Sequence, residues 1–215
     1  MRHLSFAFMV ALLLAPGTGS AEEGFRPLTA WRAYNGVGIP SSWTVSGADI
    51  GHTPGGGDLV SVETFRNFEL AFDWRVSEGG NSGIMYRVVE NAGAAHASGP
   101  EYQILDNRGH ADGKNPLTSA ASAYGLYAPH SDVTRPAGDW NSGRILVYAR
   151  HVEHWLNGTK VLEYELGSSD WRARVAASKF AAWPDYGTAP EGHISLQDHN
   201  DPVDYRNIRI RTLPD

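Results

Sequence analysis

The chain has 215 residues, a formal net charge of −6 and no cysteine. The missing cysteine excludes disulfides, thiolate metal sites, a cysteine nucleophile and a lipid-attachment cysteine. No Lys/Arg run or basic patch is visible, so nucleic acid is not an expected partner.

The first stretch has the layout of a leader. "MRH" is a short positive segment, "LSFAFMVALLLA" an apolar run, and "GSA" supplies small residues at the cleavage positions. This predicts a secretory signal peptide over residues 1–21, cleaved after Ala21, because the apolar run is too short to span a bilayer. No later apolar run reaches membrane length, so no membrane span is expected after cleavage. The remaining residues, 22–215, show no repeat, low-complexity linker or composition break and are expected to form a single exported domain, periplasmic or extracellular in a bacterium.

"GHTPGGGDL", Gly51 to Leu59, invites a phosphate-loop reading but lacks the Lys-Ser/Thr ending and a following helix, so a glycine-rich turn is expected. From Leu59 onward, short alternating runs are separated by Gly, Pro, Asn and Asp. In "FELAFDWRV", Phe68, Leu70, Phe72, Trp74 and Val76 share one face while Glu69, Asp73 and Arg75 share the other, as in a half-buried antiparallel strand. "SGIMYRVV", "EYQILD", "RILVYAR", "EHWLNGTKVLEYEL", "GHISLQD" and "YRNIRIRTL" extend the series. Asn157-Gly158 signals a type I′ hairpin turn. Only "SDWRARVAASKF" reads as a helix, capped by Ser169 or Asp170. The fold class expected is all-β, an antiparallel β-sandwich or jelly roll with one short helix.

Three stretches carry an unusual second face. Strand parity places Asn81, Gly83, Met85 and Arg87 together in "GGNSGIMYR", Glu101 and Gln103 in "GPEYQILDN", and His193, Ser195, Gln197 and His199 in "GHISLQDHN". Their opposite faces are plainly apolar. Short polar groups with little lysine, recurring on three strands, suit a site that hydrogen-bonds sugar hydroxyls and moves protons as well as they suit a wet surface.

"NSGIMYR", "GPEYQILDN", "YGLYAP", "GDWNSGRI", "HWLNGTKV", "GHISLQDHN" and "YRNIRI", in this order, resemble the 3-keto-disaccharide hydrolase family, formerly DUF1080. The resemblance runs from about Trp31 to Leu213. It implies a concanavalin-like jelly roll of the lectin and glucanase type, and glycoside substrates whose glucose C3 hydroxyl has been oxidised to a ketone. Such a ketone acidifies the C2 hydrogen, so one base suffices to form an enolate that expels the C1 oxygen, and water then adds to give net hydrolysis. Glu101 and His199 are the candidate bases. Arg87 is a candidate for stabilising the enolate, Asn81, Gln103 and Gln197 for holding hydroxyls, and Tyr127 for stacking on the sugar ring, with Trp155 expected in the core. A divalent metal could polarise the ketone, held by Glu101 and His199 with Asp106 or His154.

Plainer roles stand beside these. Asp106 is expected to cap a turn, Asp198 to pair with Arg206 or Arg209, His154 to be a satisfied core-edge histidine, and Arg87 to pair with Glu101. The rival functions are a non-catalytic, lectin-like carbohydrate-binding module, since the architecture does not fix the activity, and an ordinary glycosidase. The latter needs a flanking carboxylate pair that no strand displays.

Overall fold

The computed structural model describes residues 23–90 and 93–215; the leader expected over residues 1–21 lies outside them. In chain order the strands are β1 (Arg26–Pro27), β2 (Trp31–Ala33), β3 (Trp43–Ser46), β4 (Asp49–His52), β5 (Leu59–Phe65), β6 (Phe68–Val76), β7 (Asn81–Val88) and β8 (Glu101–Leu105). After a long connection come β9 (Asn141–Tyr148), β10 (His151–Leu156), β11 (Thr159–Glu165), the helix α1 (Ser169–Ala176), β12 (Gly192–Leu196) and β13 (Val203–Thr212). One antiparallel sheet runs β11-β10-β9-β6-β13-β4-β3, with β1 also on β13, and the second runs β2-β5-β12-β7-β8. The two pack face to face as a sandwich.

Alternation builds the layer between the sheets. Phe68, Leu70, Phe72, Trp74 and Val76 of β6 are buried, each apolar side chain contributing roughly 1.5–3 kcal/mol by leaving water. Tyr102 of β8 meets Phe72 edge-on at 5.4 Å between ring centroids. On the outward side of β6, Glu69 is buried too, because Arg144 and Arg211 close over its carboxylate.

The hairpin between β10 and β11 turns at Asn157 and Gly158, both with positive φ (49° and 82°), as a type I′ turn requires. The helix is capped by Ser168, whose hydroxyl accepts from the Trp171 backbone N–H, one residue before the expected cap. The helix also ends sooner than the sequence suggests, and Lys179–Ala182 form a separate 3₁₀ turn. The free edge of β8 is covered by the 118–127 segment, where Ala121 N–H donates to Gln103 O (2.8 Å) and Tyr124 N–H to Glu101 O (3.1 Å). That cover leaves β8 no open edge for another chain to pair with.

Candidate active site

Three adjacent strands of the second sheet, β12, β7 and β8, bring their outer faces together. Register places Gly83 opposite Gln103 and Met85 opposite Glu101, with Ser195 beside Met85. Gly83 is the floor. A Cβ there would lie 2.8 Å from Glu101 Cδ, so the carboxyl group rests directly on the Gly83 backbone.

Glu101 is 5% exposed, and its carboxyl group makes no hydrogen bond or ion pair among the described residues. Burial pushes its pKa from 4.5 up to about 8; Lys179 pulls the other way, and the charges of Asp58 and Asp112 add to the rise. Around it, Asn81 Oδ1, Gln103 Oε1, Ser195 Oγ and Gln197 Oε1 are buried without a hydrogen-bond partner among the described residues. Native interiors leave few such groups. A cluster of them beside a lone carboxyl is arranged for something that supplies hydroxyls.

The walls come from distant segments. Tyr124, on the strip along β8, directs its hydroxyl at Asp112 Oδ2 (3.3 Å). Lys179 lies with its Nζ 4.4 Å from the Tyr124 ring centroid. Asp58, following the glycine run, is raised to about 6 by burial, opposed by the Asp198 backbone N–H it accepts. Buried carboxyls and an ammonium whose fields overlap are a functional-site signature.

The structure keeps Glu101, Gln103, Asn81 and Gln197 on this face and disperses the other residues nominated from parity. Between the pairs Met85–Ser195 and Val88–His193, β7 advances three residues while β12 advances two. This bulge falls at Arg87, which has φ +54°. A bulge inverts parity beyond it, so Val88, not Arg87, packs on the Met85 side. The Arg87 guanidinium instead donates to Arg66 O (2.9 Å) and Ala149 O (2.7 Å) and does not pair with Glu101. His199 lies beyond the end of β12, half exposed, 3.8 Å from Asp201 and beside His110, without contact to Glu101. Tyr127 is engaged elsewhere: its hydroxyl donates to Asp170 (2.8 Å) and its ring stacks on Tyr164 at 4.8 Å.

Asp106 caps its turn by accepting from Gly79 and Arg108 N–H groups; burial opposes this, but these bonds hold its carboxyl below the usual range. Asp198 takes His52 (3.2 Å) and the Gly57 N–H (2.8 Å) rather than an arginine. His154 is wholly buried between the sheets, where Nδ1–H donates to Ala121 O (3.0 Å) and Nε2 accepts from the Tyr86 hydroxyl (3.0 Å). Trp155 is not in the core; it is half-buried on the outer face of the first sheet under Arg144.

The suggested metal ligands Glu101, His199, Asp106 and His154 therefore do not gather. Parity could not reveal Lys179, Tyr124, Asp58 or Asp112. The only signal for Tyr124 was its place in "YGLYAP", and Lys179 read as the end of a helix.

A family model described as a 3-keto-alpha-glucoside-1,2-lyase-like domain matches residues 24–211. A Bacteroides thetaiotaomicron protein named 3-keto-disaccharide hydrolase is 36% identical over 220 aligned positions, covering 87% of this chain and 76% of that protein. Among solved structures, a Parabacteroides distasonis protein provisionally described as a glycosyl hydrolase superposes with a TM-score of 0.81 at 33% identity, over 89% of this chain and 95% of its own. A Bacillus subtilis carbohydrate-binding module has a TM-score of 0.53 at 13% identity, over 86% of this chain and 97% of its own, a likeness of fold alone.

Proposed function

The chain belongs to the 3-keto-α-glucoside-1,2-lyase-like domain family, whose named relative is a glycoside-acting hydrolase, and on that premise we propose that it cleaves 3-keto-glycosides by removing the C2 proton with Glu101. The observation that carries this is the buried Glu101 carboxyl, without a partner among the described residues, on a face of amide and hydroxyl oxygens that likewise have none there.

A raised pKa makes Glu101 a stronger base than an exposed glutamate, and general bases serve best near the working pH. The carboxylate takes the C2 hydrogen, the electrons move onto the C3 oxygen as an enolate, and the enolate expels the C1 oxygen. Lys179, whose charge already acts on Glu101, offsets the negative charge that has moved from carboxylate to enolate. Asn81, Gln103, Ser195 and Gln197 accept hydrogen bonds from the remaining sugar hydroxyls and so fix C2 above Glu101. Water then adds to C1, its proton passing to the expelled alkoxide to give the free alcohol, and the protonated Glu101 returns its proton to C2, completing net hydrolysis.

We also propose that the enzyme is exported to the periplasm or the cell exterior, for which the leader-like stretch before Glu22 is the support.

The test is incubation of the protein with 3-keto-trehalose and, separately, with unoxidised trehalose, following the products by NMR. Turnover of the keto sugar alone, with Glu101→Gln slower by about 10²–10⁴-fold, is the expected result. Equal turnover of both sugars would favour an ordinary glycosidase. Binding without turnover would favour a lectin-like module, and an unimpaired Glu101→Gln would remove the assignment of the base.

A further inference from the structure

The Lys179–Ala182 turn has two sides. Lys179 belongs with Glu101 and Tyr124, whereas Phe180 and Ala181 line a separate cavity of about 1060 Å³ that none of Asn81, Glu101, Gln103 or Ser195 reaches. One wall of this cavity is aromatic and is built from Trp171, Phe180, Trp183 and Tyr186. These rings are held in series, Tyr186 parallel to Trp171 at 5.9 Å and to Phe180 at 4.1 Å.

Arg87, the residue that the β7 bulge turned away from the glutamate, also lines the cavity. It is 5% exposed, it makes no ion pair among the described residues, and its Nε is buried without a hydrogen-bond partner. Its one donating terminal nitrogen serves two backbone carbonyls. A buried, uncompensated charge costs several kcal/mol, and a left-handed backbone at a non-glycine residue adds roughly 1–3 kcal/mol. The other charges on the cavity are Arg66, Arg150, Arg172 and Asp215. Arg66 faces Glu191 at 4.0 Å, while Arg150 and Arg172 are bonded to backbone carbonyls. The balance is positive.

We propose that this cavity is a second ligand site, distinct from the glycoside site, for an amphipathic carboxylate whose anionic head meets Arg87 and whose apolar body lies on the Trp171–Trp183 wall. The volume is at the upper end of what a drug-sized ligand fills. A carboxylate matches the guanidinium in charge, and the terminal nitrogen that the two backbone carbonyls leave free can donate to it. The reading does not depend on the keto-glycoside chemistry.

The probe is dodecanoate, measured by its displacement of 1-anilinonaphthalene-8-sulfonate fluorescence, with dodecan-1-ol as its uncharged counterpart. Saturable displacement at least about tenfold stronger for the acid than for the alcohol is expected, a gap of about 1.4 kcal/mol. Ala181→Trp, an exposed position on the lining, should weaken displacement by narrowing the cavity. Arg87→Gln should abolish the preference for the acid. Equal displacement by acid and alcohol, binding unchanged in Ala181→Trp, or no saturable binding would each overturn the proposal. A dimer in sedimentation that Ala181→Trp dissociates would overturn it in favour of a second copy of the chain as occupant. Should Arg87→Gln fail to fold, Ala181→Trp still decides.

Discussion

Two buried polar clusters lie on opposite faces of β7 and β8, and they differ in how completely their hydrogen bonds are met. On the inner face, Tyr164 donates to Tyr86, Tyr86 to His154 and His154 to the Ala121 carbonyl. Since a carbonyl only accepts, Nδ1 of His154 carries the proton and Nε2 is left to accept from Tyr86. The ring is kept neutral, its pKa lowered to about 4 by burial. On the outer face, Asn81, Gln103, Ser195 and Gln197 hold buried oxygens without a hydrogen-bond partner among the described residues, beside the buried Glu101. A closed chain of bonds serves the fold, whereas an open set is available to a substrate. His154 is thereby satisfied by the fold, and Glu101 is the group left open to a substrate, although both are buried and titratable.

Substitution at the two clusters should have opposite consequences. Glu101→Gln should cost turnover by about 10²–10⁴-fold and leave the melting temperature no lower. His154→Ala should do the reverse. It opens a cavity and strands the Tyr86 hydroxyl, for a stability loss of roughly 3–5 kcal/mol, measured by urea denaturation. The protein that remains folded should still turn over substrate. If His154→Ala lost activity without losing stability, the inner cluster would have to be counted as part of the site.

Linkage gives the next test. Glu101 has a folded pKa of about 8 against 4.5 ordinarily. Between those values the folded chain keeps a proton that the unfolded chain has released, so stability falls as pH rises through the window. Glu101→Gln removes this dependence. It should be more stable than the parent at pH 8 by something on the order of 2–4 kcal/mol and no more stable at pH 4, as denaturant titration at the two pH values would show. A residual slope from Asp58, raised to about 6, should persist in both proteins.

Much of this architecture was legible from parity. The core face of β6, the I′ turn at Asn157-Gly158 and the division of β8 into Tyr102 and Ile104 inside with Glu101 and Gln103 outside all follow from period-two alternation and turn chemistry. Parity failed where the backbone departed from it. The β7 bulge is centred on an arginine, with no glycine to announce a left-handed residue, so Arg87 was placed with Glu101. His199 was carried along the parity of a strand that stops at Leu196. Trp155 lies outside because its neighbours Leu156 and His154 take the inner positions, so a large ring alone was a poor guide to burial. Lys179, Tyr124 and Asp58 are brought to Glu101 by loops and 3₁₀ turns, whose course local sequence does not encode.

Lys179 supplies the smallest of the expected effects and the one that best separates chemistry from scaffolding. Its charge holds the Glu101 pKa below what burial and the neighbouring carboxylates would otherwise impose. Only the ionised carboxylate can take a proton, so kcat/KM in the parent should rise with pH, reach half its limit near 8 and level off about one unit higher; a decline through 8 would instead make Glu101 a general acid. At pH 7 roughly a tenth of Glu101 is ionised with a pKa of about 8. Lys179→Met should push that pKa higher, shift the rising limb to more alkaline pH and lower kcat/KM at pH 7 by about tenfold, the equivalent of one pKa unit. Part of the loss should return at pH 9, where Glu101 is again ionised, and Lys179→Arg should keep the parent profile. A loss that is the same at every pH would mean that Lys179 does not set the ionisation of Glu101 and acts on the enolate or the packing of Tyr124 alone, because neither of those losses has a reason to follow the titration of a carboxyl group on the neighbouring strand.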